Sequence, residues 1–165
     1  MNKPFISICI PAYKKVAGLK RLLDSINEQS FTDYEIILTD DTPDGSVKEF
    51  IAQYSSTIPV TYSQNIPSAG TPLNFNIGMK KARGEWIKIM HDDDWFPHSH
   101  VLQKFAEAAQ ATDCSFVFSA CNNIYTSTGK EVHEYLAGWK KEMLEDNPLN
   151  LLYLNVIGHP TVTMH

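Results

Sequence analysis

Short apolar runs rich in β-branched residues alternate along the chain with segments of helical spacing, and this alternation constrains the fold most. In one such segment Leu19, Leu22, Leu23 and Ile26 recur at intervals of three and four residues, which places them on one helix face. The predicted strands are Ile6–Ile10, ended by Pro11, and then Tyr34–Thr39, Val60–Ser63, Glu85–Met90 and Phe116–Ala120. The predicted helices are Val16–Gln29, Val47–Tyr54, Leu73–Ala82 and His100–Ala111.

Strands that alternate with helices of about ten residues indicate βαβ units. The sequence therefore predicts an α/β fold class, with a Rossmann-like, mostly parallel sheet flanked by helices. A length of 165 residues is that of one domain. We expect residues 1–165 to form a single domain.

Composition and missing motifs exclude several function classes. A formal net charge of −5 argues against non-specific nucleic-acid binding, which needs clustered Lys and Arg. After the first predicted strand comes PAYKKVAG, without the G-x-G-x-x-G of dinucleotide enzymes, and no P-loop motif follows elsewhere. The cysteines Cys9, Cys114 and Cys121 are spaced like buried thiols in a reducing compartment. Because no run of about 18 apolar residues occurs either, we expect a cytoplasmic location.

Unusual residues follow three of the predicted strands. Pro11, Ala12 and Tyr13 follow the first strand, Asp40 and Asp41 the second, and Asp92 to Asp94 a later one. Parallel sheets bind ligands at the carboxyl ends of their strands. Each feature taken alone has a structural alternative, because Asp often begins a turn and Tyr13 could be an aromatic at the edge of the core.

The acidic cluster Asp92, Asp93 and Asp94 predicts a metal-diphosphate site. Three adjacent carboxylates repel one another, and a divalent cation such as Mn²⁺ or Mg²⁺ relieves that repulsion with hard oxygen ligands. The alternative is a solvated acidic turn that caps the following helix. Further candidate ligands of lower rank are His91, His98 and His100, which lie near the cluster, whereas His159 and His165 lie near the end of the chain.

Taken in order, these motifs resemble the start of family 2 glycosyltransferases, which have the GT-A fold. The resemblance covers nearly the whole chain. It rests on the segments Pro11-Ala12-Tyr13, Ser25-Ile26-Asn27-Glu28-Gln29-Ser30, Tyr34-Glu35-Ile36-Ile37, Asp40-Asp41, Asn76-Ile77-Gly78 and Ala82-Arg83-Gly84-Glu85-Trp86-Ile87.

The resemblance implies a metal-dependent enzyme that transfers a sugar with inversion from a nucleotide-sugar, commonly a UDP-sugar. The acceptor would be a saccharide or a lipid-linked molecule, and the full protein could associate peripherally with a membrane. Pro11, Ala12 and Tyr13 would line the nucleoside pocket, and Asp41 would contact the base.

In the acidic motif, the resemblance implies that Asp92 lies near the ribose and diphosphate. Asp93, together with Asp94, would hold Mn²⁺ or Mg²⁺. The family often has an acid where this chain has His91. We interpret this difference as tuning of the site rather than its loss.

The end of the chain carries two further expectations. Residues 149–165 are apolar and strand-like, and we expect an exposed end that promotes association. The closing residues resemble the family segment before the catalytic base, so we expect that base beyond residue 165 and a domain incomplete at its C-terminus. The alternatives are a non-catalytic nucleotide-binding module and a nucleotidyltransferase, the latter disfavoured by the missing glycine-rich loop.

Overall fold

A six-stranded sheet forms the centre of the computed structural model, which describes residues 3–111, 113–147, 149–150 and 157–165. Its spatial order is β3-β2-β1-β4-β8-β5, and β6 and β7 form a separate two-stranded sheet. The strands are β1 (Ile6–Ala12), β2 (Tyr34–Asp40), β3 (Val60–Gln64), β4 (Trp86–Ile89), β5 (Val117–Phe118), β6 (Cys121–Tyr125), β7 (Lys130–Glu134) and β8 (Thr163–Met164). The helices are α1 (Val16–Asn27), α2 (Ser46–Gln53), α3 (Thr71–Lys81), α4 (Val101–Ala111) and α5 (Gly138–Asp146).

Strands β1 to β4 are parallel to one another, which confirms the predicted mostly parallel α/β fold. The β1–β2 register runs from Ile6 opposite Tyr34 to Ala12 opposite Asp40. These two strands therefore end at the same level of the sheet. Both are buried along nearly their whole length, as expected for central strands covered on two faces.

Strand β1 continues through Pro11, where the sequence predicted its end. Successive residues of a strand direct their backbone groups to alternate sides. The carbonyl oxygen of Cys9 accepts from Met90 on the β4 side, and that of Ala12 accepts from Asp41 on the β2 side. Because Pro11 lies two residues after Cys9, its backbone nitrogen, which has no hydrogen, faces the β4 side. β4 ends at Ile89, opposite Cys9, so no residue of β4 pairs with Pro11 and the strand tolerates proline there.

Helix α1 packs on the sheet through the predicted apolar face. Leu19, Leu22, Leu23 and Ile26 are fully buried, and each such side chain contributes about 1.5–3 kcal/mol. The helix ends before the predicted Gln29, whose side chain links two helices instead. It donates to the carbonyl oxygens of Ser25 and His98 and accepts from the amide of Leu102 in α4.

The C-terminal part differs most from expectation. Val162 and Met164 are buried, and β8 pairs antiparallel with both β4 and β5. The prediction of an exposed apolar end is wrong for these residues, because the sheet takes up the segment as a strand. Leu149 is exposed, and residues 151–156 of that predicted segment lie outside the described residues.

Two smaller differences concern residues 113–134. The predicted strand Phe116–Ala120 shortens to β5, and the hairpin of β6 and β7 follows it. Of the cysteines, only Cys9 is buried, while Cys114 and Cys121 are half-buried because they flank this less covered edge. In the part of the chain that the structure describes, no helix is both long and apolar enough to cross a membrane.

Candidate functional site

The carboxyl ends of β1, β2 and β4 meet, as the sequence predicted for its unusual residues. The backbone amide of Tyr13 donates to Oδ2 of Asp92 at 2.8 Å. On the other side, the amide of Asp41 donates to the carbonyl oxygen of Ala12 at 3.0 Å. The end of β1 therefore lies between the two acidic segments and contacts both.

Asp92 is the most buried carboxylate of the acidic cluster. Its relative exposure is 7%. Burial raises the pKa of Asp92 above its ordinary value, and the Tyr13 amide and Lys15 oppose that rise. Asp92 thus fixes the cluster to β1 and faces the backbone of the Tyr13 turn.

Asp93 and Asp94 form a donor group with His91. One donor atom from each of the three residues lies within 4.8 Å of the others. The side chains of Asp93 and Asp94 are 51% and 38% exposed, so solvent reaches both carboxylates. The Asp94 amide donates to the His91 carbonyl oxygen at 3.1 Å, which closes a tight turn.

The donor group fits Mn²⁺ or Mg²⁺. Carboxylate oxygens suit both ions, and an imidazole nitrogen is also a common ligand of transition metals. Nε2 of His91 is buried and has no hydrogen-bond partner among the described residues. Its ring lies edge-on to Phe75, with centroids 5.5 Å apart. Nδ1 of the same ring lies 3.6 Å from Oδ2 of Asp94, so this nitrogen faces the carboxylates of the donor group.

Two side chains already contact these carboxylates. The Lys15 ammonium group lies 2.5 Å from Oδ2 of Asp93, and the Thr161 hydroxyl donates to Oδ2 of Asp94. The sequence indicated neither residue as part of the site. Lys15 lies two residues after the predicted strand-end motif, which was the available signal, whereas Thr161 reaches Asp94 only through the fold.

Helix α1 begins beside the acidic cluster because Gly18 allows a close approach. A Cβ atom on Gly18 would lie 2.5 Å from the carbonyl oxygen of Asp92 and 3.2 Å from Cα of Asp93. The first turn of α1, at the positive end of the helix dipole, consequently lies against this part of the chain. This position favours an anionic ligand such as a diphosphate.

At the end of β2, the carboxylates of Asp40 and Asp41 accept hydrogen bonds from other parts of the chain. Asp40 accepts from the Thr42 amide and the Tyr62 hydroxyl at 2.8 and 2.7 Å. Asp41 accepts from Asn65, Ala69 and Gly70 at 2.7–3.0 Å.

These contacts determine the charge of Asp41. Burial acts to raise the pKa of Asp41, but the hydrogen bonds from Ala69, Asn65 and Gly70 outweigh burial and lower it. Asp41 is thereby kept as a carboxylate. Its expected contact with a base stays a prediction, since both oxygens already hold the loop 65–70.

Tyr13 presents its ring to solvent at the end of β1. It is 50% exposed, and the Lys14 ammonium group lies 5.0 Å from the ring centroid. Lys14 has a φ of 65°, a left-handed backbone that turns the chain sharply into α1. The exposed ring is available for stacking on a base, which suits a residue predicted to line the nucleoside pocket.

A cavity of about 920 Å³ adjoins the acidic cluster, formed by the start of α1, the acidic loop and the β6 hairpin. The Arg21 guanidinium lies over the Trp95 ring at 4.6 Å along its wall. Its lining combines cations and carboxylates, among them Lys14, Lys15, Arg21, Asp93 and Asp94.

The histidines other than His91 lie in other settings. Nδ1 of His100 contacts the Ser30 hydroxyl at 3.0 Å, and the His98 carbonyl oxygen accepts from Gln29. His165 pairs through its backbone with Ile87, and His159 borders the cavity. Among the described residues, only His91 joins the carboxylate donor group.

Comparison with known families decides the assignment. The family model described as glycosyl transferase family 2 matches residues 7–164. The chain belongs to glycosyl transferase family 2. A relative of this chain, an uncharacterized glycosyltransferase of Haemophilus influenzae, is 31% identical over 113 residues. That alignment covers 68% of this chain and 37% of the relative, so the chain spans little more than a third of its length.

Solved structures give the same GT-A fold for this family 2 chain. S. aureus TarS 1-349 in complex with UDP-GlcNAc superposes with a TM-score of 0.62 at 22% identity, covering 68% of this chain and 33% of the TarS 1-349 chain. The mannosyltransferase PcManGT from Pyrobaculum calidifontis, in complex with GDP-Man and Mn²⁺, has a TM-score of 0.59 at 19% identity. That match covers 88% of this chain and 47% of PcManGT.

Proposed function

We propose that this chain binds the donor of a metal-dependent, inverting glycosyltransferase, and that the donor is a nucleotide-sugar, specifically a UDP-sugar. The observation that carries the proposal is the hydrogen bond between Tyr13 and Asp92, which joins the predicted nucleoside pocket to the acidic motif. Next to it lies a donor group for a divalent cation. A diphosphate is the part of a nucleotide-sugar that would link these two places.

Each predicted site residue has a distinct task in this proposal. Tyr13 stacks on the base, Pro11 and Ala12 shape the pocket wall, and Asp41 orients the base edge through the loop it holds. Asp92 lies beside the ribose and the diphosphate.

Asp93 and Asp94, with His91 as the third donor, hold Mn²⁺ or Mg²⁺. When bound, the cation supplies Lewis-acid stabilisation of the negative charge on the departing diphosphate. The start of α1 adds its dipole to the same charge.

The acceptor half of the reaction is a further proposal. Inversion requires an acceptor hydroxyl that attacks from the side opposite the diphosphate, with a base within hydrogen-bond reach. The predicted position of that base beyond residue 165 stays a prediction. A saccharide or lipid-linked acceptor, a cytoplasmic location and peripheral membrane association of the full protein belong to the same proposal.

Thermal stability with ligands tests the donor site. We expect UDP with Mn²⁺ to raise the free energy of unfolding by about 2.7 kcal/mol when UDP is present at about 100 times its Kd. GDP is the parallel arm, because the two solved neighbours hold different nucleotides. If neither nucleotide stabilises the chain with any divalent metal, the donor-site proposal is wrong.

Two matched variants test whether Asp93 holds the metal. Asp93→Ala should remove the metal-dependent part of the nucleotide stabilisation. Asp33→Ala removes an exposed carboxylate just before β2, at the opposite edge of the sheet, and should leave that stabilisation unchanged. Nucleotide binding without sugar transfer by a full-length protein would instead favour a non-catalytic binding module.

A further inference from the structure

The Lys15 ammonium group already forms an ion pair with the predicted metal ligand Asp93. Its ammonium nitrogen lies 2.5 Å from Oδ2 of Asp93, and the two side chains are 57% and 51% exposed. Lys15 is the residue before α1, and its amide donates to the Tyr13 carbonyl oxygen at 2.9 Å. Its carbonyl oxygen accepts from the Leu19 amide. The backbone is therefore fixed, while the long side chain can move through solvent.

A divalent cation bound through Oδ2 of Asp93 would meet this ammonium group. Two cations at one carboxylate oxygen repel each other, so the metal has to displace Lys15. We propose that Lys15 is an internal counter-cation that competes with the metal for Asp93 and, once displaced, binds the diphosphate of the donor. This inference rests on the proposed donor-site function and adds a mechanism by which metal and nucleotide bind together.

The diphosphate makes the exchange favourable. Without nucleotide, the metal releases Lys15 to water and the ion pair is lost. With nucleotide, the displaced ammonium group can turn to phosphate oxygens in the adjacent cavity, whose wall also carries Arg21. The metal and the nucleotide then strengthen each other's binding by the same factor, as linkage requires.

A second ion pair, which lies within α1, provides a matched control. Lys20 lies 2.6 Å from Asp24, with side chains 59% and 44% exposed. Its geometry and exposure are close to those of the Lys15–Asp93 pair, but its carboxylate lies outside the metal donor group. Removing either lysine changes the net charge of the chain equally. Only Lys15→Met should alter metal binding.

The experiment is a titration of Mn²⁺, followed by the electron paramagnetic resonance signal of the free ion, with and without UDP. We expect Lys15→Met to bind Mn²⁺ alone about fivefold more tightly than the wild-type chain, the factor that corresponds to about 1 kcal/mol for an exposed ion pair. The factor by which UDP tightens Mn²⁺ binding should fall about fivefold or more, because the lysine–phosphate contact is also lost. Lys20→Met should match the wild-type chain in both titrations.

Equal Mn²⁺ affinities for Lys15→Met and the wild-type chain would overturn the competition. An unchanged UDP effect in Lys15→Met would overturn the contact with the diphosphate. Either result leaves the proposed donor site standing if wild-type protein still binds UDP with Mn²⁺. Loss of that wild-type binding defeats the proposed function itself, so the two failures are distinguishable. Lys15→Gln gives a second test of the same exposed position.

Discussion

The Tyr13 amide donates a 2.8 Å hydrogen bond to the Asp92 carboxylate, although 79 residues separate them along the chain. β1 and β4 are parallel neighbours in the sheet, and this bond joins the loops that leave their carboxyl ends. The turn that begins at Tyr13 and the acidic motif consequently form one unit. A change in the packing of either loop should alter ligand binding at both.

Replacing Gly18 tests the close contact between α1 and this unit. A Cβ atom at position 18 would lie 2.5 Å from the Asp92 carbonyl oxygen. We expect Gly18→Ala to lower the free energy of unfolding by about 1–3 kcal/mol, as overpacking does. Urea unfolding measures this change.

Gly138→Ala is the control for the alanine itself. Gly138 begins α5, and nothing lies within 4 Å of an added Cβ. This variant should be neutral or slightly more stable, because alanine favours helix. A Gly18→Ala protein as stable as Gly138→Ala would contradict the tight contact at Asp92.

Asp41 should matter for stability before any nucleotide binds. Its carboxylate accepts three hydrogen bonds from the loop 65–70. We expect Asp41→Ala to cost about 2 kcal/mol in the free chain, since hydrogen bonds to charged groups are worth about 1.5–3 kcal/mol. Unfolding of the nucleotide-free protein in urea gives the value. If the free chain keeps its full stability, Asp41 acts only through the ligand.

The hydrogen bonds of Glu35, at the amino end of the sheet, predict that the folded chain loses stability in acid. It accepts from the Ser7 hydroxyl at 2.6 Å and from the amide and guanidinium of Arg83 at 2.7–3.0 Å. Burial acts to raise the pKa of Glu35, but these hydrogen bonds outweigh it and lower the pKa below its ordinary 4.5. The contribution is therefore complete above pH 4.5 and is lost as the pH falls through the lowered value.

Urea unfolding of Glu35→Gln between pH 7 and pH 3 tests this sign. We expect the variant to be less stable by about 2 kcal/mol at pH 7. The difference from wild type should shrink as the pH falls. Glu131→Gln, at an exposed position of β7, serves as the control. A gap that stays constant from pH 7 to pH 3 would contradict the account.

The buried Lys88 predicts a second rise of stability with pH, in a higher pH range than that of Glu35. It is fully buried in β4, donates to the carbonyl oxygens of Thr161 and Thr163, and lies 4.7 Å from the Phe105 ring centroid. Burial lowers the pKa of Lys88 to about 7, against the attraction of Asp94. Above that value the folded chain holds fewer protons than the unfolded chain, so stability rises with pH up to about 10.5.

Lys88→Met should abolish this rise. We expect the free energy of unfolding of the wild-type chain to rise, relative to that of the variant, by about 1 kcal/mol per pH unit between pH 7 and pH 9. Urea unfolding at pH 7, 8 and 9 measures it, with exposed Lys104→Met as the control. Parallel stability curves for the wild-type chain and Lys88→Met would show that Lys88 does not titrate in this range.

The sequence predicted the sheet and the meeting of the strand ends because both depend on local patterns. Periodicity located α1 through Leu19, Leu22 and Ile26, and parallel strands necessarily bring Ala12, Asp41 and Asp92 to one edge. The hairpin of β6 and β7 was missed, although Thr128-Gly129 is a turn signal and Gly129 has a φ of 68°.

Contacts between distant segments cannot be predicted from such local patterns. The pairing of Lys15 with Asp93 spans 78 residues and that of Thr161 with Asp94 spans 67. Nothing local in the sequence indicates which of several lysines or threonines lies beside a given carboxylate. The burial of Met164 within the sheet depends in the same way on a strand that returns antiparallel between β4 and β5.

The most direct test of the donor site is the position of bound Mn²⁺, measured by paramagnetic broadening of backbone amide NMR signals in the presence of UDP. We expect the amides of Tyr13 and Asp92 to broaden first, at the carboxyl ends of β1 and β4. The amides of Asp33 and Gly84, before the amino ends of β2 and β4, should broaden last. Broadening that begins at Asp33 or Gly84, or that UDP does not increase at sub-saturating Mn²⁺, would contradict a metal-nucleotide site at the acidic motif.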